Sequence, residues 1–264
     1  MGVESMRALT RFARRGLRAL GYEVVPFPPA ESLAAHLLAL FHQLGINCVF
    51  DIGAHVGEYG TFLREIGYRG HIISFEPVPL SFAVLEKQCS PDPKWRGQCL
   101  ALGSRDGSLR INVTHATEFS SFLRPSRLSR EEFAHRSDIV RVEEVEVRRL
   151  DSIFTECLQQ IPDPHVYLKT DTQGYDLEVL EGAGARLADV LALQLELSLL
   201  PVYLNVTGGF ETLSRLNAMG FEVTGLFPVS RSRDLRIIEL DCVMRRTSPR
   251  AQGKGCLVAC AQCG

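Results

Sequence analysis

The feature that most constrains this chain is a glycine-rich turn between two apolar segments, at residues 49–60 (VFDIGAHVGEYG). An apolar segment runs into Asp51, and glycines follow at positions 53, 57 and 60. A second apolar segment, HIISFEP at 71–77, ends on Glu76. A strand, a glycine turn, a helix and a second strand ending in an acid form the layout that places the ribose of a nucleoside against a carboxylate. The sequence therefore predicts a nucleoside-binding α/β unit.

The rest of the chain alternates between strand and helix patterns, which predicts a parallel sheet covered by helices on both faces. Only PVSRSRD separates the last two strands, which is too short for a crossover helix, so the final strand should run antiparallel to the others. The predicted strands are 47–52, 71–75, 97–102, 165–170, 190–197, 221–227 and 235–244, with a hairpin-like excursion at 108–113 and 141–148. The predicted helices are 33–44, 57–66, 79–89, 151–160, 176–187 and 209–219. The polar stretch 114–140 shows no clear periodicity, and a long insert of this kind is more often functional or mobile than neutral.

Three regions are predicted: an N-terminal helical extension (1–45), a main domain (46–246) and a flexible C-terminal tail (247–264). The extension begins with an arginine-rich amphipathic segment at 7–20, which suits a docked helix better than a membrane-surface helix. The tail places Cys256, Cys260 and Cys263 at C-x3-C-x2-C. This spacing suits an iron–sulfur cluster, but the barrel that should follow such cysteines is not there, so we expect a loose tail.

Composition narrows the functional class. The net charge is −2, with 45% hydrophobic and 23% charged residues, as in ordinary globular domains. This charge gives no general attraction to nucleic acid or to anionic membranes. No apolar segment reaches the roughly 18 to 20 residues that a membrane-spanning helix needs. We expect a cytoplasmic protein that acts on a small molecule, without nucleic acid and without stable membrane insertion. The sequence carries no signal for the oligomeric state.

The first turn discriminates between nucleoside cofactors. The dinucleotide fingerprint needs a second glycine so that the backbone can approach a pyrophosphate, and His55 stands at that position. Asp51 would repel a pyrophosphate, but it can pair with the ammonium group of an amino acid while the glycine amides bind its carboxylate. S-adenosylmethionine has that ammonium, and its ribose hydroxyls suit Glu76. The pattern favours this methyl donor over a nicotinamide; Asp51 as a helix cap is the alternative.

Four segments together resemble the FkbM family of S-adenosylmethionine-dependent methyltransferases: DIGAHVG, SFEPVP, LALGS at 100–104 and YLKTDTQGYDLEVLEGA at 167–183. The resemblance spans residues 47–245. It implies a class I methyltransferase fold, which is a Rossmann-like seven-stranded sheet, mostly parallel with an antiparallel last strand and helices on both faces. It also implies O-methylation of a hydroxyl on a sugar or on a secondary metabolite such as a polyketide. His55 and Asp176 depart from the family pattern, which commonly has Asn and Glu there.

The residues expected to carry the chemistry lie at the carboxyl ends of the strands, where open α/β sheets bind ligands. Asp171 is the candidate base or orienting carboxylate, and the neighbouring Lys169 would tune it; a simple turn ion pair between the two is the alternative. The candidate cofactor-binding residues are Asp51, Gly53, Ala54, His55, Gly57, Glu76, Pro77, Ala101 and Leu102. The candidate substrate-binding residues are Ser120, Ser121, Gln173 and Glu196. Asp171 and Glu196 offer only two oxygens to a divalent ion, so a metal is possible and not favoured.

Two other functions compete with methyl transfer. One is a nicotinamide-dependent oxidoreductase, against which His55 and the missing glycine count. The other is a non-catalytic binding protein on the same fold, against which the intact Asp51, Glu76 and Asp171 count. The acceptor itself has no recognisable signature in the sequence.

Overall fold

The computed structural model describes residues 27–247, together with Leu17 and residues 20–22. The prediction of a flexible cysteine-containing tail lies outside the described residues, as does nearly all of the arginine-rich segment 7–20. The proposed division into three regions stays a prediction.

Helices and strands alternate along the described chain. The helices are α1 (Leu33–Leu44), α2 (Glu58–Glu65), α3 (Pro79–Cys89), α4 (Arg127–Phe133), α5 (Leu150–Leu158), α6 (Asp176–Ala183) and α7 (Gly209–Ala218). The strands are β1 (Cys48–Ile52), β2 (His71–Phe75), β3 (Trp95–Gln98), β4 (Ala101–Leu102), β5 (Gly107–Thr114), β6 (Ile139–Arg148), β7 (Val166–Thr170), β8 (Val190–Ser198), β9 (Phe221–Arg231) and β10 (Ile237–Arg246). Among the described residues, no helix is long and apolar enough to cross a membrane.

Seven strands form one sheet in the order β3-β2-β1-β7-β8-β10-β9. The pairs on the β3 side are parallel, and β10 is antiparallel to both β8 and β9. The predicted fold class is confirmed, including the antiparallel last strand. The order reverses between β1 and β7, so the loops that follow these two strands meet at the carboxyl edge of the sheet, where a ligand crevice forms.

The predicted third strand, 97–102, was wrong as a single element. β3 ends at Gln98, and Leu100 N donates back to Gln98 O at 3.1 Å, which turns the chain out of the sheet. Ala101 and Leu102 then pair with β6 instead, in a separate three-stranded sheet ordered β4-β6-β5. The predicted excursion of two strands at 108–113 and 141–148 is confirmed as the antiparallel pair β5–β6.

The predicted helix 176–187 is shorter than expected. It ends at Ala183, because Gly184 adopts a positive φ of 50°, and the chain continues as a 3₁₀ turn over Gly184–Asp189. A left-handed residue at this point is a common way to end a helix.

The polar insert 114–140 has more structure than its sequence suggested. It contains α4 and two 3₁₀ turns, Thr117–Phe119 and Ala134–Ser137. Ser126 caps α4 through a hydrogen bond from Ser129 N, and it also donates to Pro201 O. An isolated β-bridge joins Pro125 to Tyr203 in the loop after β8. The insert is therefore attached to the carboxyl edge of the main sheet.

Each face of the main sheet buries its own apolar cluster. One face packs on α5 and α6, with Phe50 against Phe154 at a centroid distance of 5.5 Å. The other face packs on α1, α2 and α3, with Phe41 against Tyr167 at 4.7 Å. Edge-to-face aromatic pairs of this kind stabilise a core beyond the area they bury. The two clusters hold the strands in register and so fix the positions of the residues at their carboxyl ends.

The first prediction concerns the close approach of α6 to the turn after β4. Alanine normally stabilises a helix interior by about 1 kcal/mol relative to glycine, but a Cβ at Gly182 would overlap the carbonyl oxygen of Gly103. Because that obstacle is backbone, we expect Gly182→Ala to lower the free energy of unfolding by about 1–3 kcal/mol, measured by urea denaturation. Glu181→Ala on the exposed side of the same helix is the control, with a change below about 0.5 kcal/mol. A stabilised Gly182→Ala variant would contradict this packing.

Candidate active site

A buried ammonium group lies at the centre of the carboxyl edge of the sheet. Lys169, only 6% exposed, places Nζ 3.4 Å from Asp51 Oδ1 and 3.4 Å from Asp171 Oδ2. Asp51 is fully buried, and its Oδ2 accepts a hydrogen bond from Ser74 Oγ at 3.0 Å. The register of the sheet produces this arrangement, because Asp51 pairs with Ser74 on one side and with Lys169 on the other, and paired residues point to the same face.

The pKa values of this ion cluster follow from burial and from the neighbouring charges. Burial acts to lower the pKa of Lys169, but the carboxylates of Asp171, Asp51 and Asp241 outweigh it and raise that pKa above its ordinary value. Burial raises the pKa of Asp51, and Lys169 opposes the rise. Lys169 is therefore a fixed cation at neutral pH, and it stabilises the ionised form of Asp51.

Asp171 is the carboxylate that reaches solvent, with 39% of its side chain exposed. Gln173 Nε2 donates to its Oδ1 at 2.7 Å, so both oxygens of Asp171 have a donor. The same Nε2 donates to Glu196 Oε2 at 3.2 Å, and Gln173 Oε1 accepts from Tyr203 OH at 2.6 Å. Gln173 adopts a positive φ of 54°, an uncommon conformation for a residue with a side chain. The Gln173 amide thus fixes the orientation of Asp171.

Two further carboxyl groups lie near this edge. Burial raises the pKa of Glu196 well above its ordinary value, and Asp171, Glu239 and Asp241 add to the rise. Burial likewise raises the pKa of Glu239 to about 7. Like charges close together disfavour simultaneous ionisation. Glu196, predicted to bind substrate, contacts Gln173 and lines neither of the two cavities described below.

The glycine turn after β1 brings two strand ends together. Gly53 has a φ of 76°, and a Cβ there would overlap the carbonyl oxygen of Asp171. Its amide and that of Ala54 both donate to Phe75 O, at 2.9 and 3.0 Å. These amides were expected to bind a carboxylate, and this geometry does not support that role because they already have an acceptor. Gly57 also packs internally, facing Leu85 and Trp95.

Glu76 forms the acidic end of the predicted nucleoside unit. It is 6% exposed, Oε1 accepts from Val78 N at 2.8 Å, and Oε2 accepts from His55 N at 2.9 Å. Burial raises its pKa to about 7, although both backbone hydrogen bonds lower it. A carboxylate oxygen can accept two hydrogen bonds, so each oxygen of Glu76 retains capacity for a hydroxyl donor.

His55 connects the glycine turn to the insert. It adopts a φ of 49°, its Nδ1 lies 2.9 Å from Glu58 Oε1, and its Nε2 lies 2.7 Å from Thr117 Oγ1. Burial acts to lower the pKa of His55, but Glu58, Glu76 and Glu118 raise it above its ordinary value overall. The side chain at this position therefore holds the insert over the turn.

A first cavity lies over the carboxyl edge of the sheet. Its walls come from the glycine turn, the end of β2, β4, the insert and the loop after β7. It brings together ten of the residues predicted for cofactor, substrate or catalysis: Gly53, His55, Glu76, Pro77, Ala101, Leu102, Ser120, Ser121, Asp171 and Gln173. Residues separated by more than 100 positions in the chain thus share one site.

A second cavity of about 430 Å³ lies beside the first, between the sheet and the helices α1 and α2. Gly53, His55, Glu118 and Asp171 line both cavities. The predicted residues Ala54 and Lys169 line only the second, and Asp51 and Gly57 line neither. The second cavity was not foreseen, because its walls come from elements whose apolar patterns predict only core packing.

Several site residues were missed from the sequence. Tyr203 orients Gln173, and Tyr59 OH donates to Gln194 Oε1 at 2.8 Å beneath Lys169. Tyr59 could have been noticed because it stands inside the glycine turn, and Gln194 because it is polar in an apolar strand, like Glu196. Nothing in the sequence singled out Tyr203.

Among the described residues, no group of three or more His, Cys, Asp and Glu side chains is arranged to hold a metal ion.

Comparison with known proteins identifies the family. The model of the methyltransferase FkbM domain matches residues 51–223, well over half of the chain. The chain belongs to the FkbM methyltransferase family. The resemblance noted in the sequence is therefore confirmed, and S-adenosylmethionine is the cofactor of this family. No curated protein sequence matches the chain.

Several solved structures are similar to this one. They include a methyltransferase FkbM from Methylobacillus flagellatus (15% identity, TM-score 0.44, covering 75% of this chain and 43% of that chain). Fibrillarin from Aeropyrum pernix, solved with natively bound S-adenosyl-L-methionine, has 10% identity and a TM-score of 0.40, covering 79% and 74%. Precorrin-6y C5,15-methyltransferase from Geobacter metallireducens has 11% identity and a TM-score of 0.38, covering 85% and 94%. This chain thus spans less than half the length of the Methylobacillus flagellatus protein.

The first cavity fits the family cofactor by the chemistry of its walls. Glu76 offers carboxylate oxygens with free acceptor capacity to a pair of ribose hydroxyls. Buried apolar side chains beside it, Ala101 and Leu102, suit a flat base. A carboxylate next to an apolar slot is the combination that a nucleoside requires.

The second prediction tests the buried ion cluster. Lys169→Met leaves the Asp51 carboxylate buried without its cation, so we expect the free energy of unfolding at pH 7 to fall by about 3–5 kcal/mol. The pKa of Asp51 is already raised by burial, and losing Lys169 raises it further. Protonation at lower pH then removes the buried charge, so the deficit should shrink as the pH falls from 7 towards 5.

The matched control is the double variant Asp51→Asn/Lys169→Met, which removes both charges. Urea denaturation should find it less destabilised than the sum of the two single variants. Strictly additive effects would show that the two groups do not interact.

Proposed function

We propose that this protein is an S-adenosylmethionine-dependent O-methyltransferase that acts on a hydroxyl of a sugar or of a secondary metabolite. The observation that carries this proposal is the position of Asp171. This carboxylate is held by Lys169 and Gln173 at the point where two cavities meet, and one of those cavities has the walls of a nucleoside site.

Methyl transfer to oxygen needs alignment of the acceptor, exclusion of water and removal of one proton. S-adenosylmethionine, when bound, supplies an activated methyl group on a sulfonium. The chain supplies the rest. Glu76 is placed to accept hydrogen bonds from the ribose hydroxyls, and Ala101 and Leu102 form the wall for the adenine base. His55, through Thr117, keeps the insert closed over the site, which limits the access of water.

Asp171 takes the proton of the acceptor hydroxyl in this proposal. An ordinary carboxylate is a weak base for an alcohol, but the hydroxyl becomes acidic as its oxygen is alkylated. Lys169 contacts one oxygen of Asp171, and Gln173 Nε2 donates to the other, so the carboxylate is held aligned. Because the amide of Gln173 is fully engaged by Asp171, Glu196 and Tyr203, it acts by positioning Asp171 as well as by lining the cavity.

Two alternatives were open from the sequence. The nicotinamide-dependent oxidoreductase loses its support, because the chain belongs to a methyltransferase family. A non-catalytic binding protein on the same fold would keep the cofactor cavity. It would not need Asp171 to be held by hydrogen bonds from Lys169 and Gln173. The cytoplasmic location and the absence of nucleic acid as a partner stay predictions.

The third prediction separates catalysis from binding. Asp171→Asn preserves the shape of the side chain but removes the proton acceptor, so kcat should fall by about 10²–10⁴-fold. The Kd for S-adenosylmethionine, measured by calorimetry, should stay within about threefold, because a one-hydrogen-bond change is worth little here. The control is Asp163→Asn at the opposite edge of the sheet, before β7, which should have full activity. Unchanged turnover in Asp171→Asn would remove Asp171 from the mechanism.

The fourth prediction concerns pH. The pKa of Glu76 is raised by burial to about 7, and the ionised carboxylate accepts hydroxyl hydrogen bonds more strongly than the neutral acid. The affinity for S-adenosylmethionine should therefore rise as the pH increases from 5.5 through 7, and Glu76→Gln should bind about tenfold more weakly and lack this rise. Calorimetry from about pH 5.5 to 8.5 measures both, with Glu86→Gln on the exposed side of α3 as the control. The same pH dependence in Glu76→Gln would assign the titration to another group.

A further inference from the structure

The second cavity lies apart from the walls that suit the nucleoside part of the cofactor. The groups suited to the ribose and the base, Glu76, Ala101 and Leu102, all line the first cavity. The second cavity instead has walls from α1, α2, β8 and β10, through Leu33, Tyr59, Gln194 and Asp241. At about 430 Å³ it lies within the size range of small-molecule sites.

A two-substrate transfer requires two sites that meet at the reacting atoms. The two cavities meet at Gly53, His55, Glu118 and Asp171. Asp171 is the only one of these four that presents a carboxylate held by both a buried cation and an amide. A hydroxyl entering from the second cavity could therefore reach the proton acceptor without passing the nucleoside walls, which line only the first cavity.

The walls of the second cavity combine an apolar platform with hydrogen-bond acceptors. Tyr59 and Phe62 place their rings 5.9 Å apart with an interplanar angle of 43°, and Leu33 of α1 lies beside them. Asp241 and Gln194 stand on the strand side of the same space. A sugar ring has an apolar face of C–H groups and a rim of hydroxyl donors, which match an aromatic surface and carboxylate oxygens respectively.

The charge of the cavity excludes one kind of acceptor. Four acidic side chains line it, Glu58, Glu118, Asp171 and Asp241, against Lys169 and His55. Arg136 pairs with Glu118 at 2.7 Å, and the other three still outnumber the two cations. Lys169 is already shared between Asp51 and Asp171, and His55 contacts Glu58. Each unit charge of a phosphate or carboxylate on the acceptor would meet this excess of like charge in a partly buried space.

We propose that the second cavity, between α1, α2 and the β8–β10 side of the sheet, is the acceptor site, and that it takes an uncharged, polyhydroxylated ring of the sugar class rather than an anionic acceptor. This inference rests on the proposed methyl transfer. It moves the acceptor away from the insert residues Ser120 and Ser121, which line the first cavity, and gives substrate-binding roles to Tyr59 and Asp241.

The experiment uses the full chain with S-adenosylmethionine labelled on its methyl group. Neutral methyl glycosides of hexoses are offered as acceptors, together with the 6-phosphates of the same hexosides. We expect labelled product from at least one neutral glycoside, and at least about tenfold lower kcat/KM for its phosphate. Calorimetry with S-adenosylmethionine alone is run in parallel on each variant.

Leu33→Trp fills the second cavity without touching the first. It should lower kcat/KM for the glycoside by at least about tenfold and leave the Kd for S-adenosylmethionine within about twofold. Ala39→Trp, at an exposed position of the same helix that lines neither cavity, is the matched control with unchanged values. Asp241→Asn, which keeps the size of the side chain, should raise KM for the glycoside at least about threefold, and it carries the test if Leu33→Trp does not fold.

The outcomes separate this inference from the proposed function. Wild-type protein that does not bind S-adenosylmethionine would refute the proposed function itself. Weaker S-adenosylmethionine binding in Leu33→Trp would assign the cavity to the cofactor, and unchanged glycoside transfer in Leu33→Trp and Asp241→Asn would place the acceptor elsewhere. Cofactor binding without transfer to any neutral glycoside, or equal transfer to the phosphates, would overturn the substrate class.

Discussion

The ion cluster of Lys169 with Asp51 and Asp171 is the interaction on which the rest of the site depends. Placing an ammonium in the interior is costly unless carboxylates compensate it. Here two do so, Asp51 in β1 and Asp171 directly after β7. The cluster is asymmetric, because Asp51 is fully buried and Asp171 reaches solvent. Asp51 therefore holds Lys169 in place, and Lys169 in turn contacts an accessible carboxylate. A residue first interpreted as a ligand for the ammonium of the cofactor thus contacts, through Lys169, the carboxylate proposed as the base.

Close backbone packing makes this cluster possible. Gly53 has no side chain, so the turn after β1 can lie directly against the carbonyl of Asp171, and the two loops form one surface. The insert then covers this surface through two contacts, His55 with Thr117 and Ser121 with the carbonyl oxygen of Gln173. The first cavity is enclosed by these contacts, and the second stays open between the sheet and the helices α1 and α2. The two cavities have different lining residues and share Asp171. Such an arrangement suits a group transfer, in which two molecules must be held with their reacting atoms together.

The sequence predicted most of the fold because its signals are local. The alternation of apolar runs with amphipathic helices identified the sheet, and the short PVSRSRD link identified the antiparallel last strand. The errors arose where local signals are weak. The run 97–102 reads as one strand, yet β3 ends at Gln98, and Ala101 and Leu102 pair with β6, which is distant in the chain. The insert has no periodicity because its short helices are stabilised by caps and by contacts with the loop after β8.

The amino-acid sequence by itself determines which residue types stand at the strand ends. The glycines and Glu76 predict a nucleoside cofactor, and the KTDTQ segment predicts a carboxylate base. Their partners were fixed by folding. Asp51 contacts Lys169 because the two are in register in neighbouring parallel strands, which no local pattern encodes. Gln173 is oriented by Tyr203, and the second cavity takes walls from α1 and β10, which lie far apart in sequence. Composition and spacing describe what a residue can do, whereas burial and long-range pairing set which group it contacts, and that second kind of information exists only once the chain is packed.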